Sequence, residues 1–274
     1  MAGPADVWAV GKAYEPYVGR WSRLVAAEFV AGLEVAGAAA WLDLGCGTGA
    51  LSQAVLETAD PALVVGADPS AGFLTHARAQ LDGRARFVAA DARRLPVGDA
   101  RFGAVVSGLV LNFVPDPALA VREMARVARP GGRVAAYVWD YAGRMELIRH
   151  FWDAAATLDP AAAELDEGRR FGLCQPEPLG RLFRDGGLAD VDVRPIEVAT
   201  RFANFDDYWG PFLGGQGPAP GYAMSLDEPR RAALREELRR RLATPGDGAI
   251  PLVARAWAAA GTRRLSCQRV SIVS

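Results

Sequence analysis

The sequence predicts an α/β protein built on a mostly parallel sheet of seven strands with helices on both faces. Short apolar segments alternate with segments of helical periodicity through the middle of the chain, which is typical of this fold class. A glycine cluster, Gly45–Gly49, follows the first of these apolar segments. The 274 residues are enough for one large domain, and the 51% hydrophobic content supplies a substantial core.

Five of the strands are predicted between residues 40 and 139, because each is a short run rich in Val, Ala and Leu. Their bounds are Ala40–Leu44, Leu63–Ala67, Arg86–Ala90, Phe102–Ser107 and Arg133–Trp139. Helices are predicted between them over Ala50–Ala59, Ser70–Leu81 and Pro117–Ala128. A tight turn is expected at residues 129–132 (Arg-Pro-Gly-Gly), because proline presets φ and glycine tolerates a positive φ.

The pattern changes after Trp139. Helices are predicted within 141–170 and over Glu177–Gly186, and the last two strands over Asp190–Arg201 and Pro251–Ala260. An insertion, residues 203–249, separates these strands and carries an aromatic-rich segment, a Gly/Pro loop (Gly214–Gly221) and a charged helix (Asp227–Leu242). The expected organisation is a core of residues 36–200 and 250–262, cap segments at 1–35, 141–175 and 203–249, and a tail at 263–274.

Charge and composition exclude several classes. The chain has 31 basic and 32 acidic residues, so it lacks the strongly basic character of a nucleic-acid-binding domain. Three widely spaced cysteines give neither a disulfide framework nor a CxxC site, and no ligand cluster predicts a metal. No apolar run has the length of a signal peptide core or a membrane span, so the expected location is cytoplasmic, without a membrane partner.

The strongest functional signal is the segment Leu42–Gly49 (LDLGCGTG), between a predicted strand and a predicted helix. Glycine lets a cofactor approach the backbone closely, and the following helix presents free N–H groups. Asp68 ends the next strand, where a ribose would lie. The spacing is GxGxG rather than the GxGxxG of dinucleotide sites. Asp43 would lie beside the positive end of an amino-acid-like ligand.

The run DLGCGTG resembles the cofactor loop of class I S-adenosylmethionine-dependent methyltransferases. The similarity covers about residues 38–140 and looks most like the ubiquinone/menaquinone-biosynthesis branch. The other matching segments are Gly66–Ser70, Ala90–Ala92, Phe102–Ser107 and Arg129–Arg133. The resemblance implies a Rossmann-like fold, S-adenosylmethionine as cofactor, and methyl transfer to a small acceptor.

The same resemblance implies a set of cofactor-binding residues. Asp68 would bind the ribose hydroxyls and Asp91 would lie near the adenine amino group. The N-terminal segment around Gly19-Arg20-Trp21 would cover the cofactor. The full set is Tyr14, Arg20, Asp43, Gly45, Cys46, Gly47, Asp68, Pro69, Asp91, Ala92 and Ser107. Asn112-Phe113 departs from the family pattern, which often has a His pair there, and this removes one candidate base.

Methyl transfer from a sulfonium requires alignment and desolvation, and a base only where the acceptor needs one. His150, Asp140 and Tyr141 follow the fifth strand and are the candidate catalytic residues. Aromatic residues in the cap segments suggest an apolar or aromatic acceptor, held in a cavity between the cap and the cofactor. Two alternatives are a non-catalytic protein that binds S-adenosylmethionine and an NAD(P)-dependent oxidoreductase. The oligomeric state and the methylated atom are left open.

Overall fold

The computed structural model describes residues 18–214, 217–242, 246 and 248–265. Its strands, in chain order, are β1 Ala40–Leu44, β2 Leu63–Asp68, β3 Arg86–Ala89, β4 Phe102–Gly108, β5 Ala128–Trp139, β6 Leu188–Phe202 and β7 Ile250–Arg263. They form one seven-stranded sheet in the order β3-β2-β1-β4-β5-β7-β6. The pairs β1–β2, β1–β4, β2–β3 and β4–β5 are parallel, which confirms the predicted fold class.

The helices in the described residues lie where the sequence predicts most of them. Their bounds are α1 Arg20–Ala31, α2 Ala50–Thr58, α3 Ala71–Leu81, α4 Pro117–Val127, α5 Glu146–Leu158, α6 Glu167–Arg170, α7 Pro176–Asp185, α8 Phe205–Trp209, α9 Pro218–Ser225 and α10 Glu228–Arg241. Polar side chains set several starts: the Ser70 hydroxyl accepts the Phe73 N–H at α3, and the Asp116 carboxylate accepts the Leu119 N–H at α4.

Two local predictions are wrong. The expected turn at residues 129–132 is a bulge within β5, because the pairing with β4 moves from Ala128 directly to Arg133 and Gly131 has a φ of +78°. Part of the expected Gly/Pro loop is helical, since α9 begins at Pro218. Proline is tolerated in the first turn of a helix because the N–H that it lacks has no intrahelical partner there.

The described residues divide into two compact units. The glycine loop belongs to one unit and the aromatic insertion to the other. One unit contains residues 18–29, 138–178 and 194–257, and the other contains 30–137, 179–193 and 258–265. The expected division into core, cap segments and tail stays a prediction, as does the cavity between cap and cofactor. Within the described ranges, no helix combines the length and apolar character that crossing a bilayer requires.

Candidate active site

The glycine loop between β1 and α2 is fixed by hydrogen bonds to both neighbouring strands. The backbone N–H groups of Gly45 and Cys46 donate to the Ala67 carbonyl of β2, with N···O distances of 2.7 and 3.1 Å. The Ser107 hydroxyl of β4 donates to the Leu44 carbonyl at 2.8 Å. Gly47 has a φ of +52°, and a Cβ placed on it would meet no atom within 4 Å. The backbone at Gly47 therefore borders open space that a ligand could enter closely.

Asp68, at the end of β2, holds this loop in place. Its Oδ2 atom accepts the Gly47 N–H at 3.0 Å, and its Oδ1 atom accepts the Ser70 N–H at 2.8 Å. The carboxylate thereby connects the glycine loop to the start of α3, while the residue is only 7% exposed. Each carboxylate oxygen has a second lone pair, so Asp68 can still accept two hydroxyl groups.

Asp43 is fully buried on β1 beneath the loop. Its Oδ2 atom accepts the Ser52 hydroxyl at 2.7 Å, whereas its Oδ1 atom has no hydrogen-bond partner among the residues that the structure describes. Burial, with a smaller contribution from the nearby charge of Asp68, raises the pKa of Asp43 to about 7. A positively charged ligand near the loop would stabilise the ionised carboxylate. Together with the open space at Gly47, the carboxylates of Asp43 and Asp68 fit a cationic cofactor that carries a ribose.

Cys46 is buried, whereas Asp91 is exposed to solvent. Burial raises the pKa of the Cys46 thiol, so the residue is suited to filling a tight loop and not to acting as a nucleophile. Asp91, two residues after β3 ends, is exposed and forms an ion pair with Arg93 at 2.6 Å. Hydrogen bonds from Arg93 lower the pKa of Asp91 to about 2. The carboxylate is therefore charged and accessible at neutral pH.

The segment after β4 contains Asn112, which the sequence marks only as a departure from the family pattern. Leu109 has a φ of +62°, and Val110 packs so closely on the loop that its Cγ1 atom lies 2.6 Å from where a Cβ on Gly45 would be. The side-chain oxygen and nitrogen of Asn112 are both shielded from solvent and have no hydrogen-bond partner within the described part of the chain. A polar residue inside the apolar run 109–114 was the available signal.

The three candidate catalytic residues lie in the other unit. The Asp140 carboxylate accepts the Arg255 Nε–H at 2.7 Å and the Arg144 backbone N–H at 2.8 Å, so it is neutralised by a structural ion pair. Tyr141 is buried, with its ring centroid 5.7 Å from that of Phe171. His150 is half-buried on α5, and this burial lowers its pKa. Its imidazole is therefore neutral near pH 7.

Aromatic side chains from α5 and the insertion pack against one another. Phe151 stacks on Phe212 with ring centroids 4.6 Å apart, and Trp152 lies edge-on to Phe151 at 5.2 Å. Tyr208 and Trp209 join the same cluster through Phe212, at 5.5 and 6.0 Å. These aromatic side chains therefore bury one another within the unit. Tyr14 lies outside the described residues, and of Arg20 only the backbone is described.

Two adjacent acids below this cluster have different partners. Asp166 accepts two hydrogen bonds from the Arg149 guanidinium, at 3.1 and 2.8 Å. Glu167 is buried and accepts the indole N–H of Trp152. Burial raises the pKa of Glu167 to about 7. The protein thus contains a second buried carboxyl with a raised pKa that the sequence pattern did not reveal. In the described ranges no three metal-ligating side chains cluster together.

The parallel sheet, the glycine loop after β1 and the acid at the end of β2 define a Rossmann-like cofactor-binding protein. A family model described as a methyltransferase domain matches residues 42–136. The demethylmenaquinone methyltransferase of Roseiflexus castenholzii is 34% identical over 174 residues, which is 58% of this chain and 71% of that protein. The ubiquinone/menaquinone biosynthesis C-methyltransferase UbiE of Desulfotalea psychrophila is 29% identical over 192 residues, which is 66% of this chain and 76% of that protein.

Among solved structures, the YcgJ protein of Bacillus subtilis shares the fold at 16% identity, with a TM-score of 0.58 and coverage of 88% of this chain and 98% of that one. The chain therefore belongs to the class I S-adenosylmethionine-dependent methyltransferases, in the group similar to the ubiquinone/menaquinone-biosynthesis enzymes. It is a methyltransferase, and its cofactor is S-adenosylmethionine.

Proposed function

We propose that this protein methylates a ring carbon of a small, apolar reduced quinone. The observation that carries the proposal is the similarity to relatives named as demethylmenaquinone and ubiquinone/menaquinone C-methyltransferases, which extends over 58% to 66% of this chain. A hydroquinone ring is electron-rich, so its carbon is a suitable nucleophile. When bound, S-adenosylmethionine supplies a methyl group on a sulfonium. The sulfur–methyl bond breaks as the carbon–methyl bond forms, and the ring carbon loses its proton.

In this proposal Asp68 receives the two ribose hydroxyls on its remaining lone pairs, while its bonds to the Gly47 and Ser70 N–H groups keep it oriented. The cofactor lies against the open backbone at Gly47. Asp43 acts through the electric field of its carboxylate, because this group is buried and one of its oxygens has no partner in the described ranges. Asp91, exposed and charged, is the group for the adenine amine.

Further residues of the proposed cofactor site support the loop or border the nucleoside. Gly45 and Cys46 tie the loop to β2, and Ser107 ties its start to β4. Pro69 and Ala92 follow Asp68 and Asp91 in the chain and border the same nucleoside in the proposal. These residues contribute shape, and they carry no proton in the reaction.

The proton released by the ring needs an acceptor. Of the three residues that the sequence suggests, Asp140 is neutralised by Arg255 and Tyr141 is packed in the interior. His150 keeps a neutral imidazole near pH 7, because burial lowers its pKa. We therefore keep His150 as the proposed base, either directly or through water.

The test is methyl transfer to a prenylated naphthohydroquinone that lacks the ring methyl group. Purified protein, methyl-labelled S-adenosylmethionine and the probe are incubated under reducing, oxygen-free conditions, and the product is located by mass spectrometry. A ring-carbon methyl group with matching release of S-adenosylhomocysteine is the expected result. Label on oxygen would overturn carbon methylation. Binding of S-adenosylhomocysteine without transfer to this probe, to catechols or to other aromatic acceptors would favour the non-catalytic alternative.

A further inference from the structure

Asn112 presents an unusual buried amide. It lies in a short 3₁₀ helix, Leu111–Phe113, that directly follows β4. Its side-chain oxygen and nitrogen are both shielded from solvent and unpaired in the described residues. Such groups are rare in native proteins, because each loses its hydrogen bonds to water without replacement. The amide therefore calls for a partner that the described residues do not supply.

The backbone that precedes Asn112 is held in a defined conformation. Leu109 adopts a φ of +62°, which is strained for a residue with a branched side chain, and its N–H is fixed by the Tyr137 carbonyl at 2.8 Å. Val110 then fills the space beside Gly45, where a Cβ would lie 2.6 Å from its Cγ1 atom. Asn112 therefore follows, two residues later, a side chain that touches the glycine loop, that of Val110.

The sheet order indicates which part of the reaction Asn112 faces. Asp68 ends β2, and Asp91 lies two residues after the end of β3. These two strands lie on one side of β1, whereas β4 is its neighbour on the other side. In the proposed cofactor site, the nucleoside lies on the side of the glycine loop where β2 and β3 are. A group after β4 therefore lies on the side of the glycine loop away from the nucleoside, and that is the side to which we assign the transferred methyl group and its acceptor.

The exposure of the residue is compatible with ligand contact. Asn112 as a whole is half-buried although its polar atoms are covered, so the amide lies just below the surface. A carboxamide offers both a donor and an acceptor, which matches a hydroxyl or carbonyl oxygen on a ring.

We propose that Asn112 is a specificity-determining residue that hydrogen-bonds an oxygen substituent of the methyl acceptor, next to the atom that is methylated. The assignment rests on the proposed function, because it requires an acceptor that bears oxygen on its ring. Asn112 fixes the orientation of the ring, so that the correct carbon meets the methyl group. It takes no proton.

The test compares Asn112→Leu, a substitution of similar size without polar atoms, with Trp41→Phe. The Trp41 indole nitrogen is also buried and unpaired, but it lies on β1 before the loop, so it is a matched control. Asn112→Leu should not lower Tm, because it removes an unsatisfied polar group, whereas Trp41→Phe should lower Tm because it leaves a cavity at a fully buried position. Asn112→Leu should raise KM for the prenylated naphthohydroquinone at least about tenfold, with a smaller change in kcat. Its Kd for S-adenosylhomocysteine should stay within about twofold of wild type, and Trp41→Phe should change neither constant.

A lower Tm in Asn112→Leu with an unchanged KM would assign the residue to the fold and overturn the proposal. An equal loss of affinity for S-adenosylhomocysteine would assign the amide to the cofactor instead. Product from the wild type with an unchanged KM in Asn112→Leu would overturn this assignment alone. No product from the wild type would overturn the proposed function and this assignment with it.

Discussion

Replacing Asp68 by alanine tests whether the carboxylate at the end of β2 is the centre of the cofactor site. The change removes two hydrogen bonds, from the Gly47 N–H at 3.0 Å and the Ser70 N–H at 2.8 Å. It also removes the proposed acceptor of the ribose hydroxyls. A hydrogen bond to a charged group contributes about 1.5–3 kcal/mol. We therefore expect S-adenosylhomocysteine to bind about 10- to 150-fold more weakly.

The assay is calorimetric titration at a temperature where both proteins are folded, with the free energy of unfolding measured separately in urea. Asp116→Ala is the matched control, because the Asp116 carboxylate accepts the Leu119 N–H at 2.9 Å at the start of α4. That variant should lose about 1 kcal/mol of stability and no affinity. A folded Asp68→Ala protein with wild-type affinity would remove Asp68 from the site. An equal loss of affinity in Asp116→Ala would show that the effect acts through general stability.

Three further outcomes are expected. Gly47→Val should abolish S-adenosylhomocysteine binding. The control Gly83→Val, at a similar positive φ and with equally open space, should leave binding intact. Equal losses in calorimetry would refute the close approach of the cofactor to the backbone at Gly47. The folded pKa of Asp43 is raised to about 7, so the stability that Asp43 contributes is present at low pH and is lost as pH rises from about 4 to 7. In urea unfolding, the free energy of unfolding of Asp43→Asn should therefore decline less steeply over this range than that of the wild type. An unchanged decline would contradict this. Arg255→Ala should cost about 3–5 kcal/mol, since it leaves the buried Asp140 carboxylate without its cation, and unchanged urea unfolding would show that the pair has no structural role.

The local signals of the sequence were sufficient for the sheet and for the glycine loop. Strand β1 has the predicted bounds, and β2 is one residue longer than predicted because it includes Asp68. Buried parallel strands are apolar runs bounded by breakers, and this information lies within a few neighbouring residues. The glycines of the loop all have a positive φ, which few other residues adopt without strain. The cofactor class followed from the same short segment.

Other features depend on partners that are far away in the chain. The bulge at residues 129–132 arises from pairing with β4, and the sequence alone suggested a simple turn. Asp140 looked like a candidate base, but its carboxylate is held by Arg255, 115 residues later. No sequence pattern indicates which cation a given carboxylate will meet, because long-range ion pairs depend on strand order and packing.

The sequence by itself determined the order of the elements, the glycine loop and the position of Asp68, because each depends on local backbone preference and apolar periodicity. The tertiary structure decided which polar groups are satisfied. Asp43 keeps one oxygen unpaired, and Glu167 is buried against the Trp152 indole. Asn112 has an amide with no partner in the described residues. Burial and hydrogen bonding are properties of the packed chain, since they depend on which distant atoms exclude water from a side chain.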